Sequence, residues 1–294
     1  MNLLSFGEII WDVYQEQCNI GGAPLNLAAH VALQGGNAWM ASAVGNDMLG
    51  KRALEHIQDL DLKTEYVSVL NGHTTGQCII SLKENGIPSY KILEDVAYDC
   101  ISLPDVLNQR FDVIAFGTLA LRSKQNRKTL TKILRNNRFG EIYTDLNIRA
   151  PFYSKKIIEF CLTHATIVKI SDEEMPLVTM QLFGKLINSL DATKLIATNY
   201  PKISLILVTQ GAKGSFCYDC QTHQIYRCKA EPATVASTVG AGDSFGATFL
   251  TWYLKTKDII LAMKLASKVS SFVISHQEAI PADTKKFIKS VVLS

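Results

Sequence analysis

Apolar and polar positions along this chain follow two patterns, and the switch between them predicts how it folds. Leu3 to Ile10 and Ala38 to Val44 are nearly unbroken apolar runs of the kind that form strands covered on both faces. Pro24 to Leu33 reads as a helix with proline in its first turn, and Met48 to Leu60 as an amphipathic helix. The texture then changes. Tyr66–Leu70, Gln77–Leu82 and Ile87–Leu93 alternate like short strands, with Glu84-Asn85-Gly86 as a hairpin turn between the last two. From Asp112 strands and helices alternate: strands at Asp112–Phe116, Glu141–Asp145, Thr166–Ile170 and Ser204–Thr209, helices at Ser123–Asn136 and Ser154–Leu162. A hairpin over 213–228 precedes two long helices near Ala241–Lys255 and Asp258–His276.

This alternation predicts an α/β fold: a doubly wound, mostly parallel sheet with helices on both faces. Residues 1–294 read as a single domain. The all-β interruption over 66–93 does not fit inside such a sheet and reads as a smaller sheet that projects and covers something. In a doubly wound sheet, ligands gather at the carboxyl ends of the strands, so the turns there carry the candidate chemistry.

The most informative turn is Thr238-Val239-Gly240-Ala241-Gly242-Asp243-Ser244-Phe245. Its small residues leave backbone N–H groups bare at the start of an apolar helix, which makes an anion site. Asp243 would repel an anion unless it has a task there, and the fitting task is to take a proton from a hydroxyl that attacks a phosphoryl group. A dinucleotide fingerprint fits less well, because the third glycine, Gly246, falls one place late and Asp243 would oppose a pyrophosphate. Asp12 follows the first strand. Gly21-Gly22-Ala23-Pro24-Leu25-Asn26 offers bare backbone at Gly21 and Gly22, and at Asn26 an amide that both donates and accepts, as sugar hydroxyls require. Arg149 ends the Asp145–Arg149 turn and could clamp a phosphate or carboxylate, and Lys169 could set a point charge on a phosphate. Glu174 suits an outer ligand that holds the waters of Mg²⁺. Thr209-Gln210-Gly211-Ala212-Lys213-Gly214 closes another strand, where Gly211 and Gly214 would let backbone lie against a flat base or ribose. Repetition of such turns, strand after strand, points to one shared cleft.

Composition narrows the classes. Hydrophobic residues make up 47% and charged residues 19% of the chain, as in a folded globular protein. The net charge of +3 and the lack of a basic block exclude a phosphate-backbone reader, so no nucleic-acid partner is expected. No apolar stretch is long enough to span a bilayer, and the first charges, Glu8 and Asp12, do not make a secretion signal, so a cytoplasmic protein with no membrane partner is expected. Seven cysteines, an odd count, suit free thiols. Cys217, Cys220, His223 and Cys228 are too raggedly spaced for a zinc site.

With these residues in view, the chain resembles the ribokinase (PfkB) family of sugar kinases, and most of all its fructokinase branch, nearly end to end. Thr238–Phe245 is similar to the family's C-terminal signature, which implies that Asp243 is the catalytic base and that the N–H groups of Ala241, Gly242 and Asp243, after Gly240, form the anion hole. Gly21–Asn26 resembles the sugar-binding glycine motif, with the Ala-Pro pair of fructokinases, and Asp12 stands where the family has a sugar-contacting Asp. Val44–Gly50 resembles the N-terminal signature, and Asp145–Arg149 a block shared by fructokinases and ketodeoxygluconate kinases. The strands near 11–20 and 66–93 would form the lid, which in this family closes over the sugar and often pairs two subunits; Cys78, Ile80 and Leu82 would give it an apolar face for a homodimer. Three positions depart from the pattern. Ser237 replaces an Asp beside the monovalent-cation site of some members, Ser171 replaces the Asn of the Asn-x-x-Glu motif that ends in Glu174, and Glu278 replaces a Gly. Whether a monovalent cation is needed is thus left open by the sequence.

The combined expectation is an ATP- and Mg²⁺-dependent kinase that turns fructose into fructose 6-phosphate. Asp12, Gly21, Gly22, Asn26 and Arg149 would face the sugar, and Lys169, Thr209, Gly211, Gly214 and Thr238 the nucleotide. The alternatives are a sugar-acid kinase such as ketodeoxygluconate kinase, which would draw a further cation from Lys83 or Lys91, a catalytically silent relative, and a nicotinamide oxidoreductase.

Overall fold

Leu3, Leu4 and Phe6 are wholly buried, and the strand they form lies inside the main sheet. The structure, a computed structural model, describes residues 1–15, 17–82 and 88–293. In chain order it runs β1 (Asn2–Phe6), β2 (Ile10–Tyr14), β3 (Gln17–Gly21), α1 (Ala23–Leu33), β4 (Asn37–Gly45), α2 (Met48–Asp59), β5 (Lys63–Leu70), β6 (Gly76–Leu82) and β7 (Pro88–Ile92). It continues through β8 (Phe111–Gly117), α3 (Lys124–Asn136), β9 (Phe139–Asp145), α4 (Lys155–His164), β10 (Ile167–Ser171), α5 (Met175–Phe183) and α6 (Ser189–Asn199). The last elements are β11 (Leu205–Thr209), β12 (Ser215–Asp219), β13 (Ile225–Cys228), α7 (Ala241–Thr256), α8 (Ile259–Ile274) and α9 (Thr284–Leu293).

Nine strands form one sheet in the order β13-β12-β11-β10-β9-β8-β1-β4-β5. Pairing is parallel from β5 to β11 and antiparallel along the β11-β12-β13 edge. Side chains alternate across it. Leu4, Phe6, Ile114, Phe116, Ile206 and Val208 face one core, with Leu130, Ile158, Met175 and Ile196 from α3 to α6 packed on them. Leu3, Val113, Ala115, Leu205 and Leu207 face the other, covered by Leu25 and Leu27 of α1 and Phe245 and Phe249 of α7. This is the expected doubly wound α/β sheet. Side-chain caps fix several helix starts: Ser123, Ser154 and Asp258 accept from Asn126, Ile157 and Leu261 N–H.

Four strands form a second sheet, β3-β2-β6-β7. Two expectations change here. The strand expected from Leu3 to Ile10 ends at Phe6, and Ile10 already belongs to β2 of the small sheet. The expected lid segment 66–93 is too long at its start, because Lys63–Leu70 pairs with β4 and extends the large sheet. As its outermost strand, β5 meets solvent, and its polar positions imitate the alternation of a separate sheet. The turn Glu84-Asn85-Gly86 and Lys83 lie outside the described residues. Among the described residues no helix is long and apolar enough to cross a membrane.

Candidate active site

Parallel pairing brings the carboxyl ends of β8 to β11 to one edge. Gly117 lies beside Asp145, Asp145 beside Lys169, and Ser171 beside Thr209. The turns that follow these strands share that edge. Helix α7 begins against it, since a methyl group added at Gly242 would lie 3.0 Å from Lys169 Nζ.

Gly240 caps α7 at φ +77°, and a side chain there would meet Ala279 at 2.8 Å, so only glycine makes this turn. The Ala241 N–H leans back on the Thr238 carbonyl at 3.3 Å. Of the three amides expected to hold an anion, this leaves Gly242 and Asp243 as the unengaged donors at the helix mouth among the described residues, where the helix dipole is positive.

The Asp243 carboxylate accepts from Asn26 Nδ2 at 2.8 Å. Asn26 stands in the first turn of α1 and is buried. Burial raises the Asp243 pKa, while Asn26, Lys169 and Arg149 pull it back. Lys169 is buried and donates to Asp145 Oδ2 at 2.6 Å. Burial opposes its charge, but Asp145, Glu174 and Asp243 together raise its pKa, so it stays an ammonium. Burial pushes the Asp145 carboxyl up to about 6, against the pull of Lys169.

Asp12 sits in β2, and a methyl group at Gly21 would come within 3.8 Å of its carboxylate. Gly22 caps α1 at φ +117° and passes so close to the Glu8 carbonyl that a side chain would meet it at 2.5 Å. Arg149 is exposed, and its charge lowers the carboxyls of Glu8, Asp12 and Asp243, so it looks onto all three. Glu174 pins the loop that carries Arg149: it accepts from Ile148 N–H at 2.5 Å and from Ser171 N–H at 2.8 Å. Asp12, Gly21, Gly22, Asn26, Arg149, Lys169, Glu174 and Asp243 therefore surround one cleft. Thr209, Gly211, Gly214 and Thr238 belong to the outer turns of the same edge, and among the described residues no hydrogen bond links them to Asn26 or Asp243.

Three participants were not singled out by the sequence. Glu8, Tyr143 and Asp145 line a cavity of about 20 Å³ together with Asp243. The available signal for Glu8 was an acid placed inside the apolar run Leu3–Ile10. Cys78, expected on an open apolar face, is instead buried, and its thiol lies against the Asp12 carboxylate.

Such a cleft can hold an anion against the mouth of α7 and Lys169, and a polyol against Asp12 and Asn26, with a proton acceptor between them. For a divalent ion the donor set is sparse: among the described residues no three His, Cys, Asp or Glu side chains are placed to hold a metal ion. A divalent ion there would take most of its ligands from phosphate oxygens and water.

The profile of the pfkB family carbohydrate kinases matches residues 2–286. A putative sugar kinase of Pyrococcus horikoshii is 26% identical over 263 residues, covering 85% of this chain and 79% of that protein. A probable fructokinase-2 of Arabidopsis thaliana is 23% identical over 293 residues, covering 92% of this chain and 87% of that protein. The fold is similar to the fructokinase from Vibrio cholerae O395 crystallised with fructose, ADP and calcium, with a TM-score of 0.81, 19% identity and 98% of each chain covered.

Proposed function

The chain belongs to the pfkB family of carbohydrate kinases, and we propose that it transfers the γ-phosphoryl group of ATP to the primary hydroxyl of fructose, giving fructose 6-phosphate. The observation that carries this reading is the 2.8 Å bond from Asn26 to Asp243, which sets a carboxylate at the mouth of α7 with the Lys169 ammonium beside it. Asp12, Gly21, Gly22 and Asn26 hold the sugar hydroxyls. Asp243 accepts the proton of the attacking hydroxyl as its oxygen closes on phosphorus. The Gly240–Asp243 turn, Lys169 and Arg149 balance the charge on the phosphoryl oxygens. Thr209, Gly211, Gly214 and Thr238 face the nucleotide. Magnesium, with Glu174 in its outer shell, would supply further neutralisation of the phosphates. The small sheet acts as a lid that excludes water from the phosphoryl group.

Strand register supports a neutral sugar over a sugar acid. Asp12 pairs with Asn19 and Cys78, and Cys78 with Ile92, so these side chains share the face that looks onto Arg149. Lys91 pairs with Ile79 and Ile79 with Val13, which assigns it to the opposite face. Among the described residues the Asp12 face carries no lysine or arginine, so Arg149 alone would have to answer a sugar carboxylate while also serving the phosphates. A substrate panel with ATP and magnesium, read by ADP release, tests this. Fructose should exceed 2-keto-3-deoxygluconate by at least about tenfold in kcat/KM. Preference for the acid, or no ADP release with any sugar, overturns the reading.

A further inference from the structure

Glu8 stands in the three-residue link between β1 and β2, the point where the chain crosses from the large sheet to the small one. The link interlocks with the start of α1. A methyl group at Gly7 would lie 2.5 Å from Pro24, and one at Gly22 would lie 2.5 Å from the Glu8 carbonyl. The Glu8 side chain is only 3% exposed, in a wall shared with Ala23, Pro24, Leu27, Ala115 and Phe116. A capping role explains part of this. Gly22 offers α1 no side-chain cap, and the Glu8 carboxyl instead faces its own N–H and that of Ala23. It does not explain the other oxygen: Oε2 is buried without a partner and borders the cavity that Asp243 also lines.

The charges around it are unbalanced. Facing Glu8 are Asp243 from α7, Arg149 from the loop after β9, and Tyr98 from the turn after β7. Asp145 and Tyr143 of β9 border the same cavity. Arg149 is the one cation of this set, and it is exposed and shared with Asp12. Two carboxylates in so confined a space do not both ionise without cost. Asp243 has Asn26 and Lys169 on its side, which favours placing the charge there and the proton on Glu8.

We propose that Glu8 is a positioning residue for the base: its approach to the Ala23 N–H holds the helix turn that presents Asn26, and its free oxygen shares a proton site with Asp243. The inference rests on the reading of Asp243 as the base. The Glu8 carboxyl is pushed up to about 7, by burial first and by the Asp243 charge in addition. The cavity is large enough for a water to bridge the two groups. Above that pH Glu8 ionises, adds a second negative charge beside the incoming phosphoryl group and competes for Arg149. The kcat/KM profile should therefore fall on the alkaline side.

The experiment has two arms on the full chain. Carboxyl ¹³C NMR, with Glu8→Gln for assignment, should find Glu8 titrating near pH 7 and moving down by about one pH unit or more in Asp243→Asn. Kinetically, Glu8→Gln should keep the acidic limb of kcat/KM and shift the alkaline limb up by about one pH unit or more. A cap alone would change stability and leave the profile in place. A Glu8 that titrates in the ordinary carboxyl range, or is indifferent to Asp243→Asn, overturns the proposal, as does a Glu8→Gln profile that superposes on the parent. The NMR arm needs no turnover, so a failed substrate panel and a failed coupling are separate results.

Discussion

Changing Asp145 to Asn keeps the shape of the side chain and removes its charge, leaving the Lys169 ammonium in the interior with a neutral neighbour. The two side chains are 10% and 6% exposed and 2.6 Å apart. Breaking a buried pair from one side costs about 3–5 kcal/mol, because the remaining charge keeps its desolvation penalty. The Asp145 carboxyl sets where in that range this pair falls. Burial pushes that carboxyl up to about 6 even with Lys169 beside it, so its charge is itself held at some cost. Relief of that cost offsets part of the loss, which points to the lower end, about 3 kcal/mol at pH 7. Urea unfolding of the parent, Asp145→Asn and the double variant Asp145→Leu/Lys169→Met measures it. The single variant should lose about 3 kcal/mol and the double variant regain most of it, while its kcat stays about 10²-fold down for want of the ammonium. A single variant within 1 kcal/mol of the parent, or a double variant no more stable than the single, would refute the reasoning.

Asp243→Asn should lower kcat by about 10²–10⁴-fold with sugar affinity largely kept, read by steady-state kinetics and sugar titration; near-normal turnover discards Asp243 as the base. His30 is fully buried and its ring Nε2–H donates to the Ala279 carbonyl at 2.8 Å, with its pKa lowered to about 4 by burial. Its folded value lies below the unfolded 6.5, so the stability it contributes is complete above pH 6.5 and falls by up to about 3 kcal/mol as the pH drops to 4. His30→Gln keeps a donor toward Ala279 and should flatten that part of the stability curve in urea melts at stepped pH; an unchanged slope counts against the assignment.

The strands of the large sheet were legible because both their faces are covered, which makes runs such as Ala38–Val44 apolar throughout. The start of α7 was legible because Gly240 must take a left-handed backbone against Ala279, a demand that leaves a visible residue. Edge strand β5 misled because solvent on its outer side imposes the same alternation as a separate sheet. Helices α5, α6 and α9 received no boundaries, since their patterns compete with Gly184, Pro201 and Pro281 nearby. Glu8 and Asp145 went unassigned for a different reason. An acid is common at a strand end, and it is packing that shows these two to be buried, short of partners and directed at one cavity. Cys78 likewise alternates like an open-face residue, and its place beside Asp12 follows from pairing between strands far apart in the chain.

The hydrogen bond from Asn26 to Asp243 joins positions 217 residues apart, and α1 packs along α7 to support it. A nascent polypeptide therefore displays the groups assigned to the sugar long before it owns a proton acceptor. If Asp243 is the base, the incomplete product is inert toward ATP until the segment around it has left the ribosome and docked. Two fragments cut at an exposed turn between these helices would be equally silent apart, and would recover activity only by reassociating.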